Sequence, residues 1–237
     1  MDKDKEFLGT EKIGKLLFRL AVPTVIAQIV NMLYNIVDRI YIGHIPGEGS
    51  AALTGVGVCM PIIMIISAFA ALVSAGGAPR ASISLGKGDK DGAEKILGGC
   101  FLLQLILSVL LTAVLLIWDR KLLLMFGASE NTIDYAVAYM DIYAVGTIFV
   151  QLTLGLNAFI TAQGFAKTGM LTVIIGAAAN IVLDPLFIFV FDMGVRGAAV
   201  ATVILRAYRA FGRCAFYCRK RSDLKFGSKI CACRLKS

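Results

Sequence analysis

The sequence predicts an all-α polytopic membrane protein, built as a six-transmembrane-helix bundle. Three observations point there. Of 237 residues, 58% are hydrophobic and only 17% charged, too little charge to wet the surface of a soluble domain of this size. Apolar stretches of about 20 residues recur along the chain, each able to cross about 30 Å of hydrocarbon at about 1.5 Å per residue. They are continuous runs, whereas a transmembrane β-barrel shows alternating segments of about ten residues.

The six spans fall at residues 16–42, 51–75, 96–118, 133–160, 168–191 and 197–216. The chain thus divides into a leader (1–15), a transmembrane lobe (16–204, its last helix running on to about 216) and a basic, cysteine-containing tail (205–237). The leader "MDKDKEFLGTEKIGK" mixes acids with bases and no small-residue cleavage site follows, so the first run is expected to remain as a span. Lys3, Lys5, Lys12 and Lys15 precede it, and Arg80, Lys87, Lys90 and Lys95 mark the second loop. The opposite loops carry fewer bases. By the positive-inside rule both termini are expected in the cytoplasm.

The first span is unusual. Thr24, Gln28, Asn31, Asn35 and Asp38 fall within an arc of about 80° when successive residues turn by about 100°. Polar groups in hydrocarbon are costly, so this face must look into a bundle interior or a watered cavity. The amides of Gln28, Asn31 and Asn35 either bond neighbouring helices together or line that cavity. Asp38 is a stronger functional candidate, because a lone intramembrane carboxylate is rarely structural.

The fifth span, "IIGAAANIVLDPLFIFVF", places Asn180 and Asp184 one turn apart on one face. Pro185 has no N–H, so the carbonyl of Ile181 loses its helical partner and the helix is expected to kink. Two side-chain oxygens beside a loosened carbonyl suit a proton or a small cation. Depth ties the residues together. Asp38 lies about 6 Å from the outer end of its span and Asp184 about 10 Å; Tyr139 lies about 9 Å and Thr202 about 8 Å inside theirs. Four helices therefore contribute a polar group to one layer. Charged carboxylates in such a layer suffer desolvation and mutual repulsion, which a proton or cation relieves.

Enzymatic signatures are lacking, and the protein is expected not to be an enzyme. His44 is the single histidine, and "LGKGDKDG" has neither phosphate-loop spacing nor a full set of calcium ligands. The net charge of +8 does not imply nucleic acid, since ten basic residues follow Leu205, where they can meet anionic lipid headgroups. Six cysteines suggest no disulfide framework: Cys59 and Cys100 read as packing residues, and Cys214, Cys218, Cys231 and Cys233 crowd a reducing end.

The stretches "PTVIAQIVNMLYNIVDRIYIG", "GGAPRASISLGKGDKDGAEKILG", "AFITAQGFAKTGM", "NIVLDPLFIF" and "GVRGAAVATVI" together resemble the MATE family, the multidrug and toxic compound extrusion transporters, and most of all its prokaryotic DinF-like branch. The resemblance runs from about Gly9 to Ile204. It implies a plasma-membrane antiporter that exports cationic or amphipathic small molecules in exchange for H+ or Na+, with no cofactor. It implies twelve spans in two lobes, of which this chain resembles the amino-terminal one. The family's cation site would fall on Asp38, Asn180, Asp184 and Thr202, with Tyr139 nearby, and its helix bend on Pro23, with Pro185 a second hinge.

Two departures stand out. A second lobe is missing, so the expected partner is that lobe or a second copy of the chain. After Ile204 the last span changes character into "LRAYRAFGRCAFYCRKRSD", with Arg206, Arg209 and Arg213 at i, i+3, i+7 spacing. A fragment or a shifted reading frame would leave such a pattern. Arg206, near mid-membrane, is expected to snorkel, pair with a carboxylate or mark an early helix end. The alternatives are a lipid-linked oligosaccharide flippase of the same superfamily, which favours a basic cavity, and an inactive truncated membrane protein.

Overall fold

The computed structural model describes residues 13–218. The first twelve residues, and the tail from 219 with Cys231 and Cys233, lie outside the described residues. Helix α1 (Ile13–Gly43) runs unbroken through Pro23. A turn with Gly47 at φ 77° leads into α2 (Gly49–Gly86). Gly88 at φ 81° then reverses the chain into α3 (Lys90–Met125), where the Asp89 carboxylate accepts the N–H of Gly92 at 2.8 Å. The "KGDKDG" segment is therefore a helix N-cap, which satisfies one of the free amides of the first turn.

The single span expected at 133–160 is two helices, α4 (Ile133–Val145) and α5 (Thr147–Ala162), bent by 57° at Gly146. A β-carbon at 146 would strike the side chain of Val203, so glycine is what lets the last helix approach the corner. Helix α6 (Ala166–Pro185) passes at its end into a π-helical turn, Leu186–Val190, in which Phe191 N–H reaches back to Leu186 C=O at 2.9 Å. The expected kink at Pro185 takes this form: the missing proline donor is absorbed by widening one turn. Asp192 and Gly194, both at positive φ, then lead into α7 (Gly194–Cys218).

Six rods result, with α4 and α5 forming one bent rod. Helix α1 lies along α6, α2 packs on α3 and α5, and α7 packs on α4, α5 and α6. Two buried clusters fill the ends of the bundle. One joins Ile42, Val56, Ile66, Met140, Tyr143 and Ile188; the other joins Ala81, Leu97, Leu156, Phe159, Ala210 and Tyr217. The outer surface is apolar: Phe18, Met32, Met64, Val109, Ile117 and Phe211 are each more than 60% exposed, as lipid-facing positions are. Among the described residues, four helices are long and apolar enough to cross a membrane, five if the bent pair counts as one span. α7 has the length, but every 18-residue stretch of it holds at least three arginines.

Candidate functional site

Asp38, Tyr139, Asn180, Asp184 and Thr202 are all buried, none more than 8% exposed. The Asn180 amide donates to Asp184 Oδ1 at 2.7 Å, the one-turn pairing that their spacing predicts. Asp38 and Asp184 are close enough to interact electrostatically, as are Asp38 and Tyr139. Tyr139 stacks on Tyr143 with ring centroids 6.1 Å apart. Asn180 and Thr202 line one narrow cleft with Tyr34. Helices α1, α4, α6 and α7 thus bring these five side chains together.

Asp38 Oδ1, Asn180 Oδ1 and Asp184 Oδ2 are buried without a hydrogen-bond partner among the described residues. An orphaned buried acceptor costs about 1–3 kcal/mol, and a charged one more. Three such oxygens around two carboxylates form an acceptor set that a proton or a small cation would satisfy. Among the described residues no cluster of three or more His, Cys, Asp or Glu side chains could hold a metal ion.

The polar stripe of α1 opens on a separate cavity of about 250 Å³, lined among others by Gln28, Asn31, Tyr34, Asn35, Asn157 and Thr161. Side chains of the stripe bond within their own helix: Asn35 Nδ2 donates to Asn31 C=O at 2.7 Å and Thr24 Oγ1 to Leu20 C=O at 2.9 Å. Pro23 is buried in the same helix, one residue before Thr24 at the edge of this cavity.

Sequence reasoning missed the far wall. Thr153, Asn157 and Thr161 recur every fourth residue on α5 and all line the cavity, the same signal that marked α1 and legible in the same way. Arg206, Arg209 and Arg213 line it too. Arg206 is half-buried, and the helix continues past it to Cys218; among the described residues no ion pair joins it to a carboxylate. Its guanidinium lies 5.2 Å from the Tyr143 ring centroid, and that of Arg209 5.7 Å from the Tyr34 ring, cation–π distances. Arg209 also donates to Val173 C=O at 3.1 Å, and Arg213 to Thr153 C=O. The cavity therefore combines amides with guanidinium groups.

Comparison with known proteins bears on the whole lobe. The MatE family model matches residues 23–186. The multidrug export protein MepA of Staphylococcus haemolyticus (strain JCSC1435) is 26% identical over 229 residues, 96% of this chain and 50% of MepA. An FAD transporter of Shewanella oneidensis is 27% identical over 205 residues, 85% of this chain and 45% of that protein. A MATE transporter solved in complex with MaL6 superimposes with a TM-score of 0.87 at 29% identity, covering 97% of this chain and 50% of its own. A transporter of the MOP superfamily from Pyrococcus furiosus, described as having a binding pocket of reversed polarity, gives 0.82 at 29% identity over 91% of this chain and 47% of its own. The chain spans about half the length of the curated relatives it matches.

Proposed function

This chain belongs to the MatE family, and from that premise we propose that it forms the amino-terminal lobe of a secondary antiporter that exports cationic or amphipathic compounds in exchange for H+ or Na+. It is a multi-pass membrane protein whose relatives are transporters rather than enzymes. The proposal on coupling is carried by one observation: the unpartnered carboxylate oxygens of Asp38 and Asp184, buried beside Asn180. A coupling ion contributes only charge there, and Asp38, Asn180 and Asp184, with Thr202 and Tyr139 at the margin, would hold it. Both termini face the cytoplasm of a plasma-membrane protein in this reading, which the lysine-rich loops support.

The test uses proteoliposomes holding the chain joined to a second, carboxy-terminal lobe, loaded with a fluorescent amphipathic cation. Efflux is expected only under an imposed proton or sodium gradient, and the effective gradient names the ion. No gradient-driven efflux of any loaded dye would sink the reading. Efflux from vesicles holding this chain alone would show that two copies suffice; silence there, beside an active joined protein, would make the lone lobe inactive.

Pro23 cannot donate to the carbonyl four residues before it, so α1 is weakened at a point that borders the cavity. Pro23→Ala is expected to lower kcat several-fold and leave substrate binding nearly unchanged, since the variant straightens a helix that must bend. Equal turnover in both proteins would remove the hinge.

A second reading, flipping of lipid-linked oligosaccharides, draws support from the three arginines in the cavity, which suit pyrophosphate. A relative named as an FAD transporter, whose cargo is itself a phosphate compound, fits the same polarity.

A further inference from the structure

We propose that the cavity between α1, α5, α6 and α7 binds the oxyanion headgroup, phosphate or carboxylate, of an amphipathic compound through Arg206, Arg209 and Arg213. The site adjoins the carboxylate layer: Thr202 of that layer lies one helical turn before Arg206, and a cleft of about 10 Å³ lined by Asn180, Thr202, Arg206 and Arg209 lies between the two regions.

The arginines project into one space because their i, i+3, i+7 spacing puts them on one face of α7, and α7 crosses both α5 and α6 there. Arg213 is 2% exposed and Arg209 8%. Their partners are neutral: Arg209 donates to Val173 C=O, and Arg213 to Thr153 C=O and, at 3.4 Å, to Thr172 Oγ1. The Nε of each has no partner among the described residues. No ion pair joins any of the three to a carboxylate among the described residues. Buried cations at such close range repel one another and have lost their water, and carbonyl dipoles offset only part of that cost. An oxyanion removes the remainder, because a guanidinium fork matches its geometry with two parallel N–H donors.

The remaining walls say what the anion is attached to. Asn31 and Asn157 add polar groups, whereas Ala27, Leu154, Met170 and Val173 are apolar. A bare inorganic ion would leave these unused, and an amphiphile covers both. The ligand class follows from the cavity alone; that such a ligand is cargo rests on the transporter reading above.

The experiment measures binding of dodecyl phosphate to the purified full chain in detergent by calorimetry, with dodecyltrimethylammonium as its cationic counterpart. Dodecyl phosphate is expected to bind more tightly, and to weaken as NaCl is raised. Arg209→Gln and Arg213→Gln are each expected to raise Kd by about ten- to a hundredfold, the ratio for losing a charged hydrogen-bond donor. Arg213→Lys, which keeps charge but loses the fork, is expected to fall between. Equal binding of the two detergents, salt-independent binding, or unchanged affinity in the glutamine variants would overturn the site. So would peptide mass mapping of the protein from its native membrane, if residues 205–218 read otherwise than arginine at 206, 209 and 213. A chain that binds dodecyl phosphate through these residues, yet moves nothing in vesicles when joined to its second lobe, would leave this site standing and sink the antiporter reading.

Discussion

Asp184→Asn, placed in a protein carrying both lobes, is expected to reduce ion-driven export to the level of vesicles without transporter, with nearly the same amount of folded protein. The amide is isosteric, and its carbonyl can still accept the hydrogen bond that Asn180 donates at 2.7 Å, so the packing around α6 has no reason to change. What disappears is the charge. A neutral amide neither takes up and releases a proton nor attracts a cation into a site where burial already removes water. Efflux and the size-exclusion profile, measured on the same preparation, separate the two effects. Undiminished efflux in the variant would remove Asp184 from the coupling site. Loss of folded protein instead would make the residue structural.

Gly197→Val is expected to have the largest effect on folding. A β-carbon at 197 would lie 2.6 Å from the carbonyl oxygen of Phe187 and 3.0 Å from the amide nitrogen of Ile188. Both are backbone atoms of the π-helical turn, and backbone cannot swing aside as a side chain does. The clash pushes α7 off the segment that follows Asp184 and Pro185, at about 1–3 kcal/mol or more for overpacking. The expected result is a marked loss of the monodisperse size-exclusion peak and a lower melting temperature. Gly98→Ala serves as the control, because nothing lies within 4 Å of its added methyl and alanine favours a helix. A normal melting temperature for Gly197→Val would show that the π-helical turn can move.

How much of this was legible beforehand depends on the range of the interaction. Asp38, Asn180 and Asp184 stood out because a polar residue in an apolar run is conspicuous in one dimension, and helical spacing assigns it a face. A fixed rise per residue sufficed to group Tyr139 and Thr202 with them, and the structure buries both. The break at Gly146 was not legible. The side chain that requires glycine there is Val203, 57 residues further on, and nothing local in the sequence around Gly146 separates it from a glycine that a helix simply tolerates. Likewise Pro185 announced a distortion but not its form, since a kink and a π-helical turn both answer a missing N–H.

The arginines of α7 show the same limit from the other side. Their spacing was plain, yet their cost suggested an escape to the interface, because sequence alone reveals no partner. In the fold, Tyr34, Tyr143 and the carbonyls of Thr153 and Val173 supply partial ones. By itself, the sequence determined the class, the approximate spans, the polar stripe and the carboxylates, all of which follow from the bilayer's thickness and the helix's period. Tertiary structure alone decided that α1's stripe faces α5 and α7 across a cavity, and that this cavity carries positive charge. It also decided that Asp38 and Asp184 come close to one another with oxygens left unpaired among the described residues. These depend on which helices lie side by side, a matter of long-range packing that no local period encodes.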